Sequence, residues 1–295
     1  MLLWQAIILA VIQGVGELFP VSSLAQTILI PAMLGWDINA QGTDYLAFVV
    51  ALHLATAIAL LIYFWKDWRR VVVAVLGCAG RGKLIYDDDS KFAWLLAAGT
   101  IVVGGVGFVL EKRIRALFDE PKYYWIAAAI LIANGFLMIG GDYLKRRASR
   151  QAGRDTSDPE QMAVQQQKRA VDLSLLQGGA VGAAQTLALA PGVSRSGVTI
   201  VAGLLAGLSY EEASRFSFML ATPVIGLAAA LKVPHLLKDK EHLAMAGIAA
   251  VVAGVTAYVS VAFLMRYFKH HRLSPFGYYC IVFGAVAWGV LAHRS

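Results

Sequence analysis

The hydrophobic positions of this chain form long apolar runs that polar residues break at two places. In the first break, within Gln13–Gln26, Gly14, Gly16 and Pro20 interrupt the helical pattern and Glu17 adds a carboxylate. Irregular backbone at membrane depth is tolerated only where it lines a protein-enclosed or hydrated cavity. The apolar segments on either side are each too short to cross a bilayer of about 30 Å. We therefore predict a helical hairpin that enters the membrane and returns.

A second break of the same kind lies in Gln185–Thr199. It also contains a glutamine, a proline and a pair of serines, and its charged residue is Arg195, opposite in sign to Glu17. Broken apolar segments at corresponding positions of two halves are the best sequence indication of a binding site near the membrane midplane.

Three longer apolar runs follow each hairpin, and because three is odd the second half starts on the opposite side of the membrane. The predicted fold class is an all-α polytopic membrane protein with an inverted-topology repeat, each half a re-entrant helical hairpin plus three transmembrane helices. The first repeat is 1–140, with its hairpin at 2–34 and spans at 45–65, 92–110 and 121–140; a cytoplasmic polar loop is 141–170; the second repeat is 171–295, with its hairpin at 171–208 and spans at 214–231, 244–268 and 276–293.

Composition supports a membrane protein. The chain is 58% hydrophobic and 15% charged, with a mean hydropathy of +0.63, which excludes an ordinary soluble globular protein. Its net charge of +7 lies mostly in loops and needs no nucleic acid to explain it. Most Lys and Arg residues lie on the side that holds residues 66–70 and 141–170, which the positive-inside rule places in the cytoplasm. Cys78 and Cys280 are far apart in or beside apolar segments, and we interpret both as small core residues.

Arg195 is the strongest indication of a functional site. A guanidinium within a broken intramembrane segment needs an anionic partner. Backbone N–H groups and hydroxyls surround it and could form an anion cradle with it; these belong to Ser194, Ser196, Gly197 and Thr199. The structural alternative is an ion pair between Arg195 and Glu17 alone, which we expect to exist in the resting protein.

The first break leaves several roles open. Glu17 could be a general acid or base, a metal ligand, or the counter-ion of Arg195. Ser22 and Ser23 could supply a nucleophile or donate to phosphate, or they could cap the helix that they open. His53 is the histidine of the first apolar span, and we interpret it as a packed, hydrogen-bonded residue.

Two motifs carry a resemblance to a known family, Gln13-Gly-Val-Gly-Glu17-Leu-Phe-Pro-Val-Ser-Ser23 and Pro191-Gly-Val-Ser-Arg-Ser-Gly-Val-Thr199. In these motifs and over nearly its whole length the chain resembles the undecaprenyl-diphosphate phosphatases, or bacitracin-resistance proteins. The resemblance implies a multi-pass enzyme of the bacterial inner membrane with its active site towards the periplasm. Such an enzyme removes one phosphate from undecaprenyl diphosphate, recycles the cell-wall lipid carrier with help from Mg²⁺ or Ca²⁺, and gives bacitracin resistance. The resemblance does not decide whether the protein forms a homodimer.

The resemblance also implies roles for individual residues. Glu17 matches the essential second glutamate and would bind the metal ion, Ser23 matches the proposed nucleophile, and Arg195 matches the arginine that holds the diphosphate. The further positions implied to bind substrate are Gln13, Ser22, Gln26, Ser194, Ser196, Gly197 and Thr199.

One position departs from the family pattern. The family usually has a histidine three residues after the second serine, and here that residue is Gln26, which cannot take a proton at neutral pH. If the histidine activates the serine, this chain should be slow, unless Glu17 acts as the base; an engineered substitution would also explain it. The alternative function is a polyprenyl-phosphate flippase or transporter that uses the same site without hydrolysis. A third is an ion-coupled transporter for a small anion.

Overall fold

The computed structural model describes residues 1–36, 38, 43–118, 123–151, 169–230, 232 and 243–293. In these residues the chain is helical, as the hydrophobic pattern predicts. The α-helices are α1 Leu3–Gly16, α2 Ser23–Leu34, α3 Thr43–Tyr63, α4 Trp65–Arg81, α5 Asp88–Phe118, α6 Tyr124–Gln151, α7 Leu175–Ala184, α8 Arg195–Leu205, α9 Tyr210–Ala230, α10 Leu243–His270 and α11 Ser274–Ala292. Short 3₁₀ helices are formed by Ala170–Asp172 and Gln185–Leu189.

Five of the described helices, α5, α6, α9, α10 and α11, are long and apolar enough to cross a membrane. A sixth crossing results if α3 and α4 are counted together, although the two helices meet at an angle of 82°. The chain is therefore a multi-pass α-helical membrane protein.

The first break separates two short helices. α1 has 14 residues, or about 21 Å at 1.5 Å per residue, which is less than the apolar thickness of a bilayer. Pro20 lacks an N–H group and cannot continue a helix through the break. α2 ends at Leu34, and the next residue, Gly35, has a φ of 67°, in the left-handed region that glycine adopts without strain.

The helix α6 differs from the sequence prediction at its carboxyl end. It continues past residue 140 to Gln151, into the segment predicted as a polar loop. Asp142 is fully buried there and accepts hydrogen bonds from the hydroxyls of Tyr210 and Ser274, which joins α6 to α9 and α11. The residues after Asp142 are mostly good helix formers, so the helix continues beyond its apolar residues, which alone set the predicted end. Residues 152–168 of the predicted loop lie outside the described residues.

The helix α5 is also longer than its predicted span of 92–110. It begins at Asp88 and ends at Phe118, so it continues for eight residues past the predicted end at residue 110. Residues 119 and 120 and the first two residues of the predicted span 121–140 lie outside the described residues.

The position of the first break depends on a close approach between α1 and α10. A Cβ atom built on Gly14 would lie 2.0 Å from Thr256 Oγ1 and 2.5 Å from the Ala253 carbonyl oxygen. Thr256 Oγ1 is itself held, since it donates to the Val252 carbonyl oxygen at 2.8 Å. Only glycine fits at this crossing, one turn before Glu17.

We expect Gly14→Ala to lower the free energy of unfolding by about 1–3 kcal/mol, because the added methyl group must displace α10. The measurement is thermal unfolding of the purified protein in detergent, followed by tryptophan fluorescence. The matched control is Gly140→Ala in α6, where a Cβ meets nothing within 4 Å. Equal destabilisation by both changes would show that the α1–α10 contact is not the cause.

Candidate active site

The two breaks meet in an ion pair. Glu17 follows α1 directly, and Arg195 is the first residue of α8. Arg195 Nη2 donates to Glu17 Oε1 at 2.6 Å, and the two side chains are 16% and 9% exposed. The ion pair expected from the sequence is confirmed. A short charge-assisted hydrogen bond between two buried side chains fixes the relative position of the two segments.

Two more side chains donate to Glu17 Oε2. Ser23 Oγ donates at 2.7 Å and Gln13 Nε2 donates at 2.9 Å. Glu17 thus receives hydrogen bonds on both oxygens, from α1, α2 and α8. The chemical consequence is at Ser23, because its hydroxyl proton already points at a carboxylate that can accept it.

The structure gives the two adjacent serines different positions. Ser22 is the N-cap of α2 and accepts a hydrogen bond from the Ala25 N–H at 3.4 Å, whereas the Ser23 hydroxyl faces Glu17. Ser22 also has φ 61°, a left-handed conformation that costs a non-glycine residue energy. Helix capping therefore accounts for Ser22 but does not account for Ser23.

His53 is hydrogen-bonded, as predicted, but it also lies at the site, beside Gln13 and Glu17. Its Nε2 is 3.3 Å from Gln13 Nε2 and 3.8 Å from Glu17 Oε2. Its Nδ1 lies 2.8 Å from the Val49 carbonyl oxygen, which fits the neutral tautomer that carries its proton on Nδ1. In that tautomer Nε2 accepts from Gln13. The sequence does contain a signal that could have identified His53 as a site residue, because an ionisable ring inside an apolar span indicates function.

The second break is held by its own hydroxyl groups. Ser194 caps α8 by accepting from the Gly197 N–H at 3.1 Å, and its Oγ is 3.1 Å from Ser196 Oγ. Ser196 Oγ also donates to the Phe19 carbonyl oxygen at 3.3 Å, which is a second link between the breaks. Thr199 is fully buried and donates to the Arg195 carbonyl oxygen at 2.7 Å. This network places the N-terminus of α8, an anion-binding feature, beside Glu17.

Gln26 is buried and engaged at both ends of its amide. Its Nε2 donates to the Val21 carbonyl oxygen at 3.2 Å, and its Oε1 accepts from the Tyr279 hydroxyl at 3.2 Å. The side chain therefore connects α2 to α11, and these contacts account for a glutamine here without any role in proton transfer.

The residues at the site can bind a divalent cation only together with a phosphorylated ligand. Among the described residues no group of three or more His, Cys, Asp or Glu side chains could hold a metal ion. Magnesium, however, binds through as few as one or two carboxylates when phosphate oxygens and water complete its coordination. Glu17 can supply one such carboxylate, so the site fits an ion that binds together with a phosphorylated ligand.

Comparisons with known proteins agree over nearly the whole chain. A family model described as bacitracin resistance protein BacA matches residues 6–286. Among curated relatives, an undecaprenyl-diphosphatase of Acidiphilium cryptum is 44% identical, covering 96% of this chain and 95% of its own. An undecaprenyl-diphosphatase of Mycolicibacterium paratuberculosis is 43% identical, with 98% and 97% covered. An undecaprenyl-diphosphatase 2 of Frankia alni is 39% identical, with 96% of each chain covered.

Proposed function

Because the chain belongs to the bacitracin resistance protein BacA family, we propose that it is an undecaprenyl-diphosphate phosphatase of the membrane. The enzyme hydrolyses undecaprenyl diphosphate to undecaprenyl phosphate and phosphate, recycles the cell-wall lipid carrier and gives bacitracin resistance. The observation that carries the proposal is the hydrogen-bonded series Ser23–Glu17–Arg195, which joins a hydroxyl, a base and an anion-binding group within direct contact.

In the proposed reaction, Arg195 and the N-terminus of α8 hold the diphosphate. Ser23 Oγ bonds to the terminal phosphorus while the bond from that phosphorus to the bridging oxygen breaks, so undecaprenyl phosphate leaves with the bridging oxygen. Glu17 takes the serine proton. Water then hydrolyses the phosphoserine, which releases phosphate and restores the hydroxyl. A water held by Glu17 could make the same attack directly, without the phosphoserine.

Glu17 replaces the histidine that the family usually places at residue 26. Its Oε2 is already 2.7 Å from the Ser23 hydroxyl, within the range that proton transfer requires. Arg195 keeps the carboxylate oriented through the other oxygen. The chain therefore has a base for Ser23 even though Gln26 cannot serve as one.

The cofactor in this proposal is Mg²⁺ or Ca²⁺, bound by Glu17 together with the substrate. Such an ion neutralises charge on the phosphoryl oxygens when bound. Gln13 and His53 fix the side of Glu17 that faces away from Arg195, because Gln13 bonds to both residues. Ser22, Ser194, Ser196, Gly197 and Thr199 hold the two breaks in place around the phosphate.

The proposed architecture is an inverted repeat in which 1–140 and 171–295 are the two halves and 141–170 connects them. Helix packing supports it, because contacts between helices of the two halves recur when the halves are exchanged. α1 packs on α10 as α7 packs on α5, α3 packs on α10 as α9 packs on α5, and α2 packs on α11 as α8 packs on α6. The contact of α1 with α10 and the contact of α7 with α5 both depend on glycine, since Gly14 faces α10 and Gly182 faces Gly99 of α5. The two hairpins would then be re-entrant from opposite sides.

The proposed location is the bacterial inner membrane, with the site open towards the periplasm. Support comes from the positive-inside rule applied to the basic residues of α4 and of the carboxyl end of α6. In this orientation both ends of the chain face the periplasm, and the substrate reaches the site from the outer leaflet.

The test is phosphate release from undecaprenyl diphosphate by the purified protein in detergent with Mg²⁺. We expect turnover that EDTA abolishes and added Mg²⁺ or Ca²⁺ restores. Glu17→Gln, prepared in parallel, measures contaminating phosphatase, because attack by Ser23 and attack by water both need that carboxylate. Tight lipid binding without phosphate release would support the alternative, a polyprenyl-phosphate flippase, which an inverted repeat with a midplane site suits equally well.

We expect His53→Leu to slow phosphate release by about tenfold, because the Gln13 amide loses one of its two acceptors and Glu17 is held less well. His53→Gln offers an amide oxygen in place of Nε2 and should recover most of the rate. The measurement is kcat and KM for both variants in detergent, with the effect expected in kcat. Equal losses in the two variants would indicate that the ring itself, rather than its acceptor, is needed.

A further inference from the structure

A groove of about 440 Å³ opens between α2 and α11, a size typical of small-molecule sites. We call it the α2–α11 groove. The rings of Tyr279 and Phe283 are stacked, with centroids 5.7 Å apart and planes within 9° of each other, and they form one flat wall. The side chains that line the groove are Met33, Tyr278, Tyr279, Val282, Phe283 and Val286.

The α2–α11 groove starts where the candidate active site ends. Ser23 and Gln26 are separated by one turn of α2, or about 5 Å of rise. Gln26 Oε1 accepts from the hydroxyl of Tyr279, and the ring of Tyr279 lines the groove. The hydrogen bond between Gln26 and Tyr279 thus lies at the boundary between the polar site and an apolar surface.

From that boundary the groove runs away from the site. Met33 lies seven residues beyond Gln26 on α2, and Val286 lies seven residues beyond Tyr279 on α11. Both line the same groove, whose wall on α11 extends from Tyr278 to Val286, about 12 Å of helix rise. The groove therefore extends from the Gln26–Tyr279 hydrogen bond towards the carboxyl ends of both helices.

The groove is open sideways along α11, one of the helices long and apolar enough to cross the membrane. Tyr278 is 59%, Val282 63% and Val286 52% exposed, and in a bilayer these side chains face hydrocarbon. A long apolar chain could enter from the lipid without passing through water. The groove lining offers it no charged group to desolvate.

We propose that the α2–α11 groove binds the first isoprene units of a polyprenyl diphosphate whose head group lies at Glu17 and Arg195. The proposal rests on the proposed function and identifies where the hydrocarbon part of that substrate lies. Branched, unsaturated isoprene units pack well on a flat aromatic wall. Met33 is an unbranched side chain that can adjust to their methyl groups. Gln26 and Tyr279 mark the point where diphosphate ends and hydrocarbon begins.

The groove should orient the substrate more than it increases affinity. The tail leaves lipid, which is as apolar as the groove, so no hydrophobic driving force accompanies the transfer. What the groove adds is a fixed position for the first carbons and hence for the phosphorus near Ser23. The effect of blocking it is therefore expected mainly in kcat for long-chain substrates.

The first experiment compares a long and a short substrate in Val282→Trp, which places an indole in the groove. We expect the ratio of kcat/KM for undecaprenyl diphosphate to kcat/KM for methyl diphosphate, which has no isoprene unit, to fall by about tenfold. The matched control is Val251→Trp, at a 67% exposed position of α10, which should leave the ratio unchanged. An unchanged ratio in Val282→Trp, or an equal fall in the control, overturns the proposal.

The second experiment maps contacts directly in the wild-type protein. A polyprenyl diphosphate with a diazirine on its second isoprene unit is photolysed in nanodiscs, and adducts are located by peptide mass spectrometry. We expect adducts at 278–286 and near Met33 that excess undecaprenyl diphosphate removes. Adducts spread evenly over the lipid-facing helices contradict the proposal. Labelling of the groove by a diazirine phospholipid that the diphosphate does not displace shows that the groove holds bilayer lipid instead.

Failure of this proposal can be told apart from failure of the proposed function. If the wild-type protein releases no phosphate from either substrate, the phosphatase assignment is wrong, whereas the photolabelling still reports whether a polyprenyl tail occupies the groove. If phosphate is released and both the ratio and the adducts show no preference for the groove, the enzyme is a phosphatase that holds its tail elsewhere.

Discussion

Glu17→Gln is expected to lower kcat for phosphate release by about 10³-fold, the range measured for loss of a general base. Ser23 Oγ donates to Glu17 Oε2 at 2.7 Å, and a glutamine amide in that place can accept the hydrogen bond but not the proton. The substrate should still bind, because Arg195 remains. The measurement is single-turnover phosphate release together with direct binding of undecaprenyl diphosphate in detergent.

Loss of fold must be separated from loss of chemistry in this variant. Glu17→Gln leaves Arg195 buried without its counter-charge, and breaking a buried pair in this way typically costs about 3–5 kcal/mol. The double variant Glu17→Gln with Arg195→Gln removes both charges and should regain much of that stability, while activity stays lost. Ser23→Ala leaves the ion pair intact and should be stably folded; its phosphate release is lost if Ser23 attacks the phosphorus and retained if a water held by Glu17 attacks instead. If Glu17→Gln keeps a tenth or more of the wild-type rate, Glu17 is not the base.

The breaks and their charges could be predicted from the sequence because their signals are local. Glycine and proline within an apolar run, next to Glu17 or Arg195, violate the rules for a membrane helix within a few residues of sequence. The pairing of these two charges followed from burial alone, since an unpaired intramembrane charge is too costly. The structure then supplied the distances, which decide that Ser23 rather than Ser22 faces the carboxylate.

Contacts between distant residues could not be predicted in the same way. His53 lies 40 positions from Gln13, and only the packing of α3 beside α1 brings their side chains together. Asp142 follows the last apolar residues of α6, so the sequence pattern predicts a loop there, yet hydroxyls from α9 and α11 donate hydrogen bonds to it inside the protein. The α2–α11 groove has the same origin, because its two walls are about 250 residues apart in the chain.

Arg195→Ala is expected to lower kcat/KM by about 10³-fold, at the upper end of what removal of one donor to a reacting oxyanion costs. The guanidinium donates to Glu17 Oε1 at 2.6 Å through Nη2 and to the Ala221 carbonyl oxygen at 3.5 Å through Nη1, and in the proposed complex its other N–H groups bind phosphate oxygens. Arg195→Lys keeps the charge but loses the planar fork, so we expect a smaller loss of about 10²-fold.

The control for Arg195 is Arg147→Lys, at an exposed position of α6, which should leave kcat/KM unchanged. Added guanidinium ion, which can occupy the space left in Arg195→Ala, should restore part of the rate without changing thermal stability. Such rescue distinguishes a group that binds the phosphate from one that only holds the two breaks together, since a purely structural arginine would be rescued in stability and activity alike. Full activity in Arg195→Ala would contradict the proposed site, because the second break would then contribute no charge to the reaction. The planar fork of the guanidinium requires kcat/KM to fall in the order wild type, Arg195→Lys, Arg195→Ala.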